Sequence, residues 1–217
     1  MKLSALCLGL SLVAVAGVAT AHPHVVRKLT LPLQSGQVEV NYFSLPFNAK
    51  HLEIVPEGMY WHLGFATMKV TGKVTASGQA IATGKYHLFA HAEKDRKWSL
   101  VLVPEGSGQT IAITSFQIMQ ETDEAKRKDL VKETEGLAQG KIVLPTRFEK
   151  GGATTEHLRM TLEDEGVNYG ELGPAGKPGD KAIGRDFALH VDFGDLHGSV
   201  AFSEPMGDAA AKESGSK

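Results

Sequence analysis

The chain reads as an all-β protein, an antiparallel β-sandwich or open barrel carrying one short surface helix. Three observations predict this. Most apolar residues fall in short runs of strand length, several of those runs alternate apolar and polar positions, and Gly, Pro and Asp separate them. Only one segment breaks the pattern with helical spacing.

The first 21 residues of the 217 stand apart. Lys2 gives a minimal positive start, residues 3–18 form a Leu/Val/Ala/Gly run too short to span a bilayer comfortably, and Ala19-Thr20-Ala21 is a small-x-small cleavage site. Residues 1–21 are therefore expected to be a secretory signal peptide, with the mature chain starting at His22. The alternative is a retained N-terminal anchor. Cys7, the sole cysteine, follows Leu6 rather than the Gly or Ala of a lipobox. Cleavage would remove it, leaving no disulfide, thiolate metal site or cysteine nucleophile. The expected location is the periplasm or the cell exterior.

Residues 22–204 are expected to form a single β-rich domain. Residues 38–43 alternate and stop at Leu45-Pro46; residues 66–74, 86–92, 98–103 and 110–116 read as further strands. The pair 86–92 and 98–103 forms a candidate hairpin across the charged loop 93–96. Residues 122–138 are the helix, with Thr122 as N-cap, acids in its first turn, Gly136 as terminator and a narrow stripe of Leu130, Val131, Thr134 and Leu137. Residues 157–162 form another strand, and residues 166–186 are a long Gly/Pro-rich loop. The last hairpin pairs 187–193 with 199–202. Phe187, Leu189, Val191 and Phe193 face the core, the connection runs from Gly194 to Gly198, and Val200 and Phe202 resume the inward face. Residues 205–217 make a small, polar, disordered tail.

Composition narrows the function. The formal net charge is −2 with both signs intermixed, which argues against capture of nucleic acid or of an anionic membrane surface. After signal cleavage, no apolar run is long enough to span a membrane. The Gly-rich stretch 170–184 lacks the strand-loop-helix context and the Lys-Ser/Thr ending of a phosphate loop.

An ordered set of features in residues 38–103 resembles the bacterial family called domain of unknown function 2911. They are Val40-Asn41-Tyr42, Pro46 and Lys50, Val55-Pro56-Glu57-Gly58, Tyr60-Trp61-His62-Leu63-Gly64, the run from Gly84 to Ala90, and Trp98 to Leu102. Members of that family usually place Arg and a Gly-Ala-Asn or similar after the tryptophan; here His62 and Phe65 replace those basic and amide groups. The resemblance implies a secreted or periplasmic β-rich domain and names no substrate.

Nine histidines make metal binding the sharpest chemical hypothesis. At a mature N-terminus His22 would offer an amine and an imidazole to copper, with His24 close by, and zinc is the other candidate ion. Pro23 has no amide proton to lose, so the four-nitrogen copper plane that uses successive backbone amides is excluded, leaving a brace completed by a distant histidine. His87 and His91 would lie roughly 13 Å apart on a strand, at the outer limit for sharing an ion. His190 and Asp192, about 6.6 Å apart on one strand face, are better spaced to converge on a metal or for the carboxylate to orient the imidazole. With Asp195, His197 and Ser199 they sketch a Ser-His-Asp set, but no nucleophile elbow or oxyanion hole accompanies it.

Trp61, His62, Tyr86 and Phe89 are the candidate ligand-binding residues, forming an aromatic-lined pocket for a sugar, peptide or lipid fragment; the competing reading is ordinary core filling. The sequence thus favours an exported, non-catalytic binding or accessory domain, with no residue assigned to catalysis. The alternatives are a periplasmic copper or zinc protein built on His22, and an exported hydrolase.

Overall fold

A computed structural model of the chain describes residues 25–169 and 183–206. Two antiparallel sheets face one another, as a β-sandwich requires. The first contains β1 (Val25–Pro32), β2 (Gln37–Ser44), β3 (Tyr60–Thr71), β6 (Gly84–Ala92), β7 (Trp98–Pro104) and β8 (Ile142–Leu144), in the order β1-β2-β3-β6-β7-β8. The second contains β4 (Val74–Ala76), β5 (Gln79–Ile81), β9 (Arg147–Asn168) and β10 (Gly184–Pro205), in the order β5-β4-β10-β9. A short helix, α1 (Ala49–Ile54), precedes β3, and two longer ones, α2 (Glu105–Gln120) and α3 (Glu124–Leu137), come after β7.

The alternation read from sequence sets the layers. Val38, Val40 and Tyr42 of β2, Met68 and Val70 of β3, and Leu88, Leu100 and Leu102 of β6 and β7 point inward. They meet Leu158 and Met160 of β9 and Phe187, Leu189, Val191, Val200 and Phe202 of β10. Phe187 and Phe202 stack with ring centroids 5.1 Å apart. The Tyr42 hydroxyl, carried across this interface, accepts from the Met160 amide at 3.0 Å. A buried carboxylate closes another corner: Glu204 accepts from the amides of Gln34 and Ser35 and from the Ser35 hydroxyl. Burial alone would raise its pKa, but these bonds, with Arg185 nearby, outweigh that and hold it below the usual value.

The helices give the six-stranded sheet a second, outer layer. Tyr60, Phe89, Val101 and Val103 face away from the sandwich core and are covered by Ile111 and Ala112 of α2 and by Ala138. Residues 110–116, expected as a strand, thus lie inside α2. The β-branched run Thr110-Ile111-Ile113-Thr114 carries the strand propensity. The face formed by Gly108, Ile111, Ala112, Ser115 and Ile118 carries the helical period, and tertiary burial decides in its favour. Gly108 lets the helix sit close to the sheet, because a Cβ there would come within 2.8 Å of His87. The single-helix expectation is corrected accordingly.

The remaining differences are local. Asp123, not Thr122, caps α3, accepting from the amides of Ala125 and Lys126, and α3 ends at Leu137 with Ala138 as its C-cap. The run 66–74 divides at Gly72 between β3 and β4, which belong to different sheets. The hairpin 86–92/98–103 forms as expected, from Tyr86↔Pro104 to Ala92↔Trp98. The hairpin expected across residues 194–198 does not form: β10 continues through them, paired with β9 on both sides of register shifts at Gly194. Residues 166–168 and 184–186 of the expected loop are strand ends in the same ladder. Residues 1–21, expected as a signal peptide, the tail from residue 207 onward and residues 170–182 lie outside the described residues. Among the described residues no helix is long and apolar enough to cross a membrane.

Candidate functional site: an aromatic cleft around a neutral histidine

One defect in the β3–β6 ladder builds an aromatic surface. His62 pairs with Phe89 and Thr67 with His87, so residues 63–66 bulge opposite the single residue Leu88. Gly64 and Phe65 at the apex have φ of 58° and 52°. Gly64 is required there, since a Cβ would come 2.1 Å from the Phe43 carbonyl oxygen. Phe65 is a bulky side chain in the left-handed region, a conformation costing on the order of 1–3 kcal/mol. The bulge turns the Phe65 ring onto His62, with centroids 4.3 Å apart and planes 17° from parallel, and leaves Phe65 42% exposed.

A cleft of about 570 Å³ opens beside this pair. Phe43, Leu45 and Pro46 come from the end of β2 and the segment after it, Ile54 from the end of α1, and Trp61, His62 and Phe65 from β3. Phe116, Met119 and Gln120 come from the last turns of α2, and Phe193 from β10. Trp61 packs edge-on against Phe193 at 5.0 Å and lies 6.1 Å from Trp98, so the wall is anchored in the core. The rim is different. Phe43, Ile54, Phe65 and Phe116 are all exposed, Phe116 by half its surface. Apolar surface gathered this way is uncommon on a protein with nothing to cover it.

Among the described residues, His62 is the one titratable group in the lining. It is 8% exposed, and burial alone pushes its pKa down to about 4, so at neutral pH the ring is uncharged. Its Nδ1 is buried, with no hydrogen-bond partner among the described residues.

The other sequence candidates are placed elsewhere. Tyr86 is a core residue facing the second sheet, its hydroxyl donating to the Ala82 carbonyl at 2.7 Å. Phe89 is sealed between the sheet and α2, edge-on to Tyr60. Neither lines the cleft; the strict alternation of β6 turns one inward and the other beneath a helix.

The histidines disperse. His87 packs under Gly108 of α2, with its pKa lowered by burial and by Lys85. His91 stacks on Tyr60 at 4.5 Å, its Nε2 3.9 Å from Glu135. Burial lowers its pKa, and Lys141 adds to this against the opposing pull of Glu135. His190 lies 3.2 Å from Glu163. Asp192 instead accepts from His197 Nδ1 at 2.8 Å and from Arg159 at 2.9 and 3.1 Å. These bonds outweigh burial and hold the Asp192 carboxyl below its usual pKa. His190 and Asp192 thus serve different partners rather than one ion. Among the described residues no three His, Cys, Asp or Glu side chains gather as a metal site; His22 and His24 lie outside them.

A second polar constellation lies on the same face as His62. The Tyr60 hydroxyl donates to Glu135 Oε2 at 2.6 Å and accepts from the Lys141 ammonium, which also bonds Glu135 Oε1 at 2.7 Å. Burial first, then Glu135, pushes the phenol up to about 12. Ser115 of α2 donates to the Tyr60 carbonyl. These contacts fasten both long helices to β3.

The sequence had singled out Trp61 and His62 but not Phe43, Phe65, Phe116, Met119 or Phe193. One signal was present: His62 and Phe65, the two positions at which the expected family pattern is not followed, are the two rings that stack at the cleft. No family model, curated protein or solved structure matches the chain.

Proposed function

We propose that the protein is an exported binding domain that holds a small apolar molecule in the cleft between β3, α2 and β10. The observation that carries this reading is the strained bulge at Gly64-Phe65, which presents an aromatic ring to a cavity already walled by Trp61 and Phe193. Strain of this kind persists where the surrounding structure enforces it, and it concentrates at binding sites. The cavity volume falls within the roughly 300–1,000 Å³ of small-molecule sites, and its lining is apolar with few polar groups, as in such sites generally. Export rests on the leader-like residues 1–21, and the resemblance of residues 38–103 to an exported bacterial family points the same way.

The test is fluorescence titration of the mature chain with N-phenyl-1-naphthylamine, an uncharged probe that brightens in apolar surroundings. One saturable site is expected. Phe116→Asp, at an exposed rim position, should weaken it by about tenfold or more while leaving the circular dichroism spectrum unchanged. Absence of saturation, or binding indifferent to Phe116→Asp and Phe65→Ser, would refute the reading. Recovery of the mature chain outside the cytoplasm, starting at His22, tests the export half separately.

A further inference from the structure

We infer that the cleft selects uncharged ligands, with an apolar body and a hydroxyl or similar group that both donates and accepts a hydrogen bond. This rests on the cleft being the binding site. It adds the chemical class of the ligand.

Three observations point to that class. Among the described residues the cleft lining contains no Lys, Arg, Asp or Glu, so an ionised ligand would find no counter-charge among these wall residues. A charge moved from water into such surroundings without a partner is strongly disfavoured. Second, His62 is nine-tenths buried and its Nδ1 has no partner among the described residues. Buried polar atoms in folded proteins are nearly always satisfied; among the described residues His87, His91, His190 and His197 each carry a buried nitrogen that likewise lacks a hydrogen bond away from the cleft, and His62 is the one that lines it. Third, the imidazole is neutral, and a neutral imidazole has one donor and one acceptor nitrogen. A hydroxyl complements either one. A carboxylate only accepts and an ammonium only donates, and each brings a charge. The stacked Phe65 reinforces the selection: with its ring 4.3 Å from the imidazole, it shields His62 from the water that would otherwise solvate a charged pair.

A carboxylate could enter in one way, by transferring its charge requirement to His62 and protonating it on binding. The burial that keeps this ring neutral opposes that step.

The experiment is displacement of N-phenyl-1-naphthylamine from the mature chain at pH 7.5 by 1-octanol, octanoate and octylamine, which share one apolar body and differ in the head. Octanol is expected to displace the probe at about tenfold lower concentration than either ion. His62→Phe keeps an apolar ring in place, and the octanol preference, measured against the variant's own probe affinity, should fall to about twofold. Calorimetry of octanoate in buffers of different ionisation enthalpy supplies a readout on the unmodified chain, should His62→Phe not fold. Equal displacement by octanol and octanoate, or uptake of one proton when octanoate binds, would overturn the selectivity while leaving the cleft reading intact. Failure of the probe itself to bind would instead remove both.

Discussion

Tyr60 and His62 lie two residues apart on β3, on the same outer face of the same sheet, yet they do opposite things. Tyr60 is fully buried, and its hydroxyl is satisfied from both sides by Glu135 and Lys141. His62 is nearly as buried, but burial has stripped its charge and its Nδ1 has no partner among the described residues. The difference comes from the backbone on the C-terminal side of each residue. Tyr60 is still in regular ladder, covered by helix, while His62 is the last paired residue before the bulge. A polar group under a complete layer must find its partners inside the fold. One at the end of a layer can leave them to a ligand. The comparison teaches that a single strand can serve as both fastening and site, the ladder defect separating the two.

The most severe way to break this arrangement is Gly64→Ala. The new Cβ would meet the Phe43 carbonyl oxygen at 2.1 Å, and the φ of 58° is itself unfavourable to alanine. The strand can escape only by abandoning the bulge. We expect a loss of about 3 kcal/mol or more in urea unfolding together with loss of probe binding. Unchanged stability would mean the bulge is not held as described.

The next effect is a pH dependence with a definite sign. The folded-state pKa of His62 is about 4, against 6.5 for an ordinary histidine. Between those values the unfolded chain binds the proton and the folded chain does not. The contribution of His62 is thus complete above pH 6.5 and is lost as pH falls towards 4. From pH 7.5 to 4.5 this single group should cost on the order of 2–3 kcal/mol. His87 and His91, also lowered, act in the same direction. The discriminating quantity is the difference between the unmodified chain and His62→Phe: urea unfolding at the two pH values should show a shallower slope for the variant. Parallel slopes would place His62 in water.

Tyr60→Phe tests the other half of the comparison. It removes the hydroxyl that joins Glu135 to Lys141 but keeps the ring that packs on Phe89 and His91. Part of the network stays solvated and the direct Glu135–Lys141 bond survives, so the cost should be modest, about 1–2 kcal/mol by thermal unfolding. Probe affinity should not change. A fall in affinity as large as that for Phe116→Asp would show that the fastening and the site are one unit.

The same physics decides how much of the fold and the site was legible in the sequence. Inward alternation announced β2, β6, β7 and the first half of β10, because burial on one face writes a period of two into the sequence. It misled across residues 194–198. Phe193 and Val200 are an odd number of positions apart, yet both face the core, which reads as a turn until the register shifts at Gly194 are seen to absorb the odd residue. The α2 helix was hidden behind β-branched residues, and its helical signal lay in small ones, Gly108, Ala112 and Ser115, whose importance depends on the sheet they touch. Phe116 was lost with it. Trp61 and His62 were legible as unusual neighbours, but their convergence with Phe43 and Phe193 depends on a bulge and on a strand of the opposite sheet. Neither is encoded within a local window.

The smallest effect on stability is the most telling about function. Phe65 is a large side chain in a left-handed conformation, so Phe65→Gly should relieve strain even as it removes a ring from His62. Because the ring is 42% exposed, little burial is lost with it. Relief of strain is partly offset by the greater entropy of glycine in the unfolded chain. The net change should lie within about 1 kcal/mol of zero, towards stabilisation. Probe affinity should move the other way, falling several-fold as the stacked pair disappears. Stability and binding changing in opposite directions at one residue is what a side chain retained for its ligand would produce. If Phe65→Gly lost stability and left affinity intact, Phe65 would be a packing residue, and the strain at the bulge would need a structural cause of its own.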